Sequence, residues 1–415
     1  MRIWLITIGE PLPLNGNERL LRTGIFANHL CRNGHDVTWW TSSFDHVRKQ
    51  HVVSESVNRR ITDKFTLFLL RGCGYKKNVS LARLYDHYLL GKKFFKKAEK
   101  EKKPDIILCS FPAIELSAEA VKFGKKYGVP VLLDVRDLWP DIFLDVFPSY
   151  FKFIGKIILW PLLHLTEVAF RDATAITGVT KPFVEWGVKN AHRDERASDQ
   201  DFPMGYPTIK ISYADRQNAI SFWKHKGVAK DRFLVVFFGY FGRQFELKMV
   251  IEAAKDLSNL PIDFILCGSG DNYAYYENLA ENVSNVILPG WVGRSEISTL
   301  MQMANVGLMP YVVKDNFTKN IPNKFIEYLS AGLPILSTLH GEVGSLLSQE
   351  KCGLVYKNKN ELISSVKQLV KDKQLVQQMA LASKKLFNKQ FEASLVYSSF
   401  ESHLVDIICT FKKEN

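Results

Sequence analysis

Two α/β domains, each a parallel sheet covered by helices on both faces, are what this 415-residue sequence predicts. Three observations lead there. The chain exceeds the usual size of one hydrophobic core, so its length favours two domains. Short runs of branched apolar residues recur without polar alternation, each followed by a longer amphipathic stretch. That is the pattern of strands buried on both faces and joined by helices. The series breaks once, over the polar and irregular stretch 188–230, and then resumes.

In the first half, strands are expected at Arg2–Ile8, Val37–Thr41, Phe65–Leu70, Ile106–Ser110, Val131–Val135 and Ala173–Thr177. Between the first two, Leu20, Leu21, Gly24, Ile25, Ala27 and Leu30 recur at helical spacing, with Gly34 where a helix would stop. The second series predicts strands at Leu234–Phe238, Ile262–Cys267, Val286–Leu288, Val306–Met309 and Ile335–Thr338. Helices follow at Glu361–Lys371 and Gln374–Asn388, and the tail Leu395–Phe411 is again helical. The resulting division is an N-terminal domain at 1–190, a connection at 191–210 and a C-terminal domain at 211–394. The helix 395–415 is expected to pack back on the first domain. Two Rossmann-like, doubly wound halves facing each other across a cleft is the simplest architecture.

Composition narrows the class. Hydrophobic residues are 46% and charged residues 24%, which is ordinary globular usage. The six cysteines lie far apart with no C-x-x-C pair, and several sit inside apolar runs, as expected of reduced thiols in a cytoplasmic protein. The start MRIWLITIGEP lacks the layout of a signal peptide, and no run of 18 apolar residues predicts a membrane span. The formal charge of +12 favours acidic partners or a lysine-rich solvated surface. No aromatic–basic platform accompanies it, so nucleic acid is not expected as a partner. Tyr150–Phe170 has a short apolar core interrupted by Pro161, with Lys152 and Lys156 flanking Phe151, Phe153 and Trp160. It suits a lipid headgroup layer, hence an anionic membrane surface as partner and a peripheral location. A helix packed under the first sheet is the alternative.

Three strings carry chemistry. In IPNKFIEYLSAGLPILST, residues 321–338, Pro322 opens a helix with Asn323 near its start, where unpaired N–H groups suit a diphosphate. Lys324 adds a cation, and Glu327 lies one turn on, able to accept from ribose hydroxyls. An exposed Lys–Glu pair on an ordinary amphipathic helix is the plain alternative. In VVFFGYFGRQFELK, residues 235–248, an apolar strand runs into a glycine turn, then Arg243 and Lys248. Such a strand end is where open α/β sheets bind ligands, and both cations suit phosphate. Gly268 and Gly270 after the next strand resemble part of a phosphate loop, or a tight turn. In VLLDVRDLWPDIF, residues 131–143, a strand delivers Asp134, Arg136, Asp137 and Asp141 as general-base or acceptor-orienting candidates, unless Arg136 merely neutralises its neighbours. Glu10–Arg22 is the other loop expected to line the cleft. No histidine pair at metal-ligand spacing occurs, and the one Asp-x-Asp, Asp199 and Asp201, sits in the polar connection rather than at a buried strand end.

Taken with NERLLRTGIFANHLCRNGHDVTWWTSSFDHVRK, NVSLARLYDH, DVRDLWPDIF and FVEWGV, these strings resemble family 4 of the retaining glycosyltransferases, which have the GT-B fold. The resemblance is to bacterial O-antigen and capsule enzymes of the fucosamine-transferase-like branch, and it covers nearly the whole chain. It implies that Arg243 and Lys248 hold the donor diphosphate, assisted by Gly268, Gly270, Asn323 and Lys324, and that Glu327 contacts the donor nucleoside. Lys319 stands where the family has the first glutamate of its E-x7-E motif. Asp137 falls about where members carry a histidine serving the reacting sugar; Asn17, Arg19 and Arg136 fall on the acceptor side. The implied reaction retains configuration, uses no metal and no cofactor, and takes a nucleotide-sugar donor, UDP-linked by preference. The implied acceptor is a polyprenyl-diphosphate-linked saccharide at the inner face of the cytoplasmic membrane. The alternatives are a sugar-nucleotide epimerase of similar architecture and a non-catalytic subunit of a glycosylation complex.

Overall fold

The structure, a computed structural model, describes residues 1–14, 18–78, 80–208, 211–229 and 231–414. It divides into two compact units, Met1–Gly205 with Ser394–Asn415, and Tyr206–Ala393.

The first unit contains β1 (Arg2–Ile6), β2 (Asp36–Ser42), β3 (Phe44–Asp45), β4 (Gln50–His51), β5 (Val57–Thr62), β6 (Phe65–Leu70), β7 (Ile106–Phe111), β8 (Val131–Val135), β9 (Ala175–Gly178) and β10 (Gln200–Asp201). Among the described residues, strands β3 and β4 pair with each other alone. The rest form one sheet in the order β10-β9-β8-β7-β1-β2-β6-β5. It is parallel except for β5, which runs antiparallel along β6 at the edge. The central strand β7, IILCSF, is buried at every residue, as a strand covered on both faces must be. β5, VNRRIT, has three exposed residues in a row and so gave no apolar signal to read. On one face Trp4 and Trp40 meet edge-on at 5.2 Å, Trp40 stacks on Phe68 at 4.0 Å, and Phe94 and Phe123 close the cluster.

The second unit contains β11 (Phe233–Phe238), β12 (Ile262–Cys267), β13 (Val286–Ile287), β14 (Val306–Met309), β15 (Ile335–Ser337) and β16 (Gly353–Val355), all parallel in the order β13-β12-β11-β14-β15-β16. The chain works outward from β11 to β13, returns to β14, and works outward again. Connections therefore leave β11 and β14 in opposite directions, opening a crevice at their carboxyl ends. In the first unit the same reversal falls between β1 and β7.

The segment Lys152–Asp172 departs from expectation. It is one continuous helix of 21 residues with Pro161 inside it, and by length and composition it is apolar enough to cross a membrane, with a mean hydropathy of 1.4 over an 18-residue window. Proline removes one helical hydrogen bond, but the flanking Leu, Ile and Trp side chains still favour the helix. The absence of an unbroken apolar run therefore did not exclude a helix of spanning length.

Candidate functional site

In the second unit, the two strongest sequence strings meet at the crevice between β11 and β14. After β11, the Gly239 N–H donates to the Cys267 carbonyl at 3.0 Å and the Phe241 N–H to the Ser269 carbonyl at 2.8 Å, zipping this loop to the one after β12. The approach is too close for side chains. A Cβ on Gly268, whose φ is +151°, would stand 1.8 Å from the Gly239 carbonyl oxygen, and one on Gly270 2.8 Å from the Phe241 nitrogen. Both glycines thus have a backbone-packing reason to be there.

That loop presents Arg243, which is exposed and has no hydrogen bond or ion pair among the described residues. Lys248 follows in the first turn of the helix Leu247–Asp256, 3.8 Å from Glu252, an exposed pair of little energetic weight. After β14, the helix Asn323–Ala331 begins at Pro322 with no side-chain cap. Such a start suits an anion. Asn323 is exposed. The ammonium of Lys324 lies 4.5 Å from the Phe237 ring centroid and 5.3 Å from that of Phe245, which brings the helix against the β11 loop. A Cβ on Gly239 would sit 3.2 Å from that ammonium, so the turn leaves it room.

Glu327 is 9% exposed. Its charge adds to burial in pushing the Tyr311 and Tyr328 phenols up. The Tyr328 hydroxyl donates toward the Val236 and Leu308 carbonyls at 3.1 and 3.2 Å, tying together the strands that flank the crevice. Lys319 is paired with Asp315 at 3.1 Å across the short helix Asp315–Thr318, with the Asp315 side chain largely in solvent and that of Lys319 half-buried.

The first unit fills the corresponding place with charge that is already matched. Asp134 is fully buried at the end of β8. It accepts from Arg22 Nε at 3.0 Å and Nη2 at 3.1 Å, from Arg136 Nε at 2.9 Å and from the Thr177 hydroxyl at 3.1 Å. Arg136 continues to Glu10 and to the Thr23 hydroxyl, and Glu10 accepts from the Thr23 N–H at 3.0 Å. The arginines hold the Asp134 carboxyl below the usual range against the opposing effect of burial. Asp134 and Arg136 therefore read as mutual neutralisation. Asp141 accepts from the Trp186 indole at 2.8 Å. Asp134, fully buried and bonded to two arginines, is not placed as a general base. Asp137 is half-buried and Arg19 exposed; Asn17 lies outside the described residues. Asp199 accepts from Arg193 through both oxygens and from the Ile176 and Arg196 N–H groups, fastening the connection to β9. Among the described residues, no group of three His, Cys, Asp or Glu is placed to hold a metal.

The sequence carries a signal for this network. Arg22 shares the buried face of the helix Arg22–Arg32 with Phe26 and Leu30, and a charge on an apolar stripe requires a buried partner.

Comparison with known proteins follows this division. No curated protein matches the sequence. The whole chain has the two-domain α/β architecture of solved structures at low identity. A sucrose-phosphate synthase from Thermosynechococcus elongatus superposes with a TM-score of 0.73 at 13% identity, covering 99% of each chain. HepE of Anabaena in complex with UDP gives 0.67 at 15%, covering 98% of this chain and 100% of that one. WaaG, described as a glycosyltransferase involved in lipopolysaccharide biosynthesis, gives 0.64 at 16%, covering 96% and 98%. Residues 220–386, nearly all of the second unit, match the family model described as Glycosyl transferases group 1.

Proposed function

We propose that this protein is a glycosyltransferase that takes a sugar from a nucleoside diphosphate donor, UDP-linked by preference, and passes it to a lipid-linked saccharide. The observation that carries the reading is the convergence of Arg243, Lys248, the Asn323 helix start and Lys324 on the β11/β14 crevice, inside the segment that matches the family model. The leaving diphosphate gains charge as the glycosidic bond breaks, and fixed cations with a helix N-terminus stabilise that charge where it develops. In this reading Glu327, one turn after Lys324, accepts from the nucleoside. We infer a configuration-retaining reaction without a metal, with Asp137 on the side of the reacting sugar, and a place in bacterial surface polysaccharide synthesis such as O-antigen or capsule.

The test is thermal stabilisation by UDP, GDP, dTDP, CMP and ADP, each with and without EDTA. A ligand that binds only the folded state raises the midpoint by mass action. UDP is expected to give the largest shift, unchanged by EDTA. No shift with any nucleotide at millimolar concentration overturns the reading.

The acceptor side of the proposal rests on the helix Lys152–Asp172 and its lead-in, with Phe153, Ile157, Ile158 and Trp160 all more than 60% exposed. Aromatic and aliphatic side chains flanked by Lys152 and Lys156 suit the boundary of an anionic bilayer at the cytoplasmic face. Binding to anionic liposomes is expected at low salt, to weaken as salt rises, and to fall when Lys152 and Lys156 are replaced by Glu. Equal binding by the charge-reversed variant excludes this surface.

A further inference from the structure

The exposed face of the helix Lys152–Asp172 changes character halfway along. Phe153, Ile157, Trp160, His164, Glu167 and Arg171 recur at helical spacing and so form one stripe. Its first half is apolar and forms the proposed bilayer contact. Its second half is titratable and has no part in that proposal.

His164 lies flat against Trp160, with ring centroids 5.3 Å apart and planes within 5° of parallel. A protonated imidazole over an indole is a cation–π pair, so the stack tolerates the gain of charge. One turn on, Glu167 is the one fixed charge on the helix between Trp160 and Arg171. Its Oε1 lies 3.5 Å from Nε2 of His192, with the two side chains 44% and 66% exposed. His192 follows the helix Lys181–Asn190 and Ala191 in left-handed backbone, φ +50°, a position that glycine usually fills. What the turn presents to Glu167 there is an imidazole. The neighbouring elements add fixed charges of both signs. Arg171 Nε and Lys125 Nζ, the latter from the helix Ile114–Tyr127, donate to the two oxygens of Asp172 at 3.0 and 3.2 Å. Asp141 takes the Trp186 indole, and Glu185 and Lys189 stand exposed on the helix Lys181–Asn190. With its imidazoles neutral, this half of the stripe sets a carboxylate toward an anionic leaflet, which repels it. Histidine takes up its proton between about pH 8 and pH 5. His192 then neutralises Glu167, and His164 adds a cation beside Trp160, at the level where an indole sits in a bilayer. An anionic surface attracts such cations and gathers protons, favouring the charged form further.

We propose that this half of the stripe makes the bilayer contact proton-dependent: His164 and His192 tighten binding to an anionic membrane as pH falls, and Glu167 weakens it as pH rises. The inference rests on the bilayer reading of this helix and adds its regulation.

The test is co-sedimentation of the full chain with vesicles of phosphatidylcholine and phosphatidylglycerol, at about pH 5.5 and about pH 8 and constant ionic strength. The phosphatidylglycerol phosphodiester stays anionic throughout, so only the protein titrates. Affinity is expected to rise about fivefold or more toward the acid end. Other histidines of the chain titrate too, so the variants carry the assignment. His164→Gln combined with His192→Gln is expected to lose most of that rise and to leave binding at the alkaline end unchanged. Glu167→Gln is expected to bind about threefold more tightly at the alkaline end, a gain that damage to the fold does not produce. A rise that survives in the double histidine variant, or no rise at all, overturns the inference, while salt-sensitive binding keeps the bilayer reading. An equal rise on phosphatidylcholine alone also overturns it. No binding even at the acid end overturns both.

Discussion

The two sheets reverse their strand order in the same way, beside the first strand of each, and treat that point in opposite ways. In the first, two arginines and two carboxylates meet at the ends of β1 and β8 and satisfy one another; Arg22 and Asp134 are buried almost completely. In the second, Arg243 and Lys248 stand in solvent at the ends of β11 and its helix, with one loose ion pair between them and the rest of the chain. The same topology thus carries charge that holds a fold in one place and charge available to a ligand in the other. The sheet decides where a site lies, and the pairing of its side chains decides whether anything is left to bind.

That contrast is open to breaking. Asp134→Ala leaves two buried guanidinium groups without their shared acceptor, and a loss of about 3–5 kcal/mol of unfolding free energy is expected in a urea titration. A loss below about 1 kcal/mol means that the network is ornamental to stability.

Glu115 gives the next largest effect. Beside His87 at 3.8 Å, its carboxyl is pushed from an ordinary value of 4.5 up to about 7 by burial. The folded state therefore holds this proton more tightly than the unfolded chain. The associated stability is present below about pH 4.5 and lost as pH rises to about 7, a change on the order of 3 kcal/mol. Glu115→Gln is expected to flatten that slope; an unchanged pH profile of stability contradicts the assignment.

Arg243→Ala is expected to move stability by less than about 0.5 kcal/mol, because the side chain is exposed, yet to weaken nucleotide binding by about 1.5–3 kcal/mol. An isothermal titration showing unchanged UDP affinity removes Arg243 from the donor site and blurs the difference between the units.

Much of this was legible in advance. Fully apolar strands such as IILCSF and IDFILC declare themselves, because a strand covered on both faces has no polar side to hide it. The convergence of residues 235–248 and 321–338 also follows from strand order, once β11 and β14 are neighbours. β5 was not legible, because it is a mostly exposed edge strand, nor was β16, an edge strand that opens on a glycine and leaves two of its three residues partly exposed. The Pro161 helix shows that one proline does not end a 21-residue helix. The pairing of His192 with Glu167 was the least accessible: the two come from separate stretches of chain, and only the fold brings them together.

The return of the C-terminal helix has a consequence for biosynthesis. Residues Ala393–Glu414 complete the unit that residue 1 begins, with Glu401 accepting from both His29 and His35 and the Tyr397 hydroxyl donating to the Gly205 carbonyl. On the ribosome, the unit translated first is therefore the one finished last, while the uninterrupted stretch Tyr206–Ala393 emerges with every one of its own strands in hand. A nascent chain halted just after residue 393 carries the whole second unit attached to a first unit still missing its last helix.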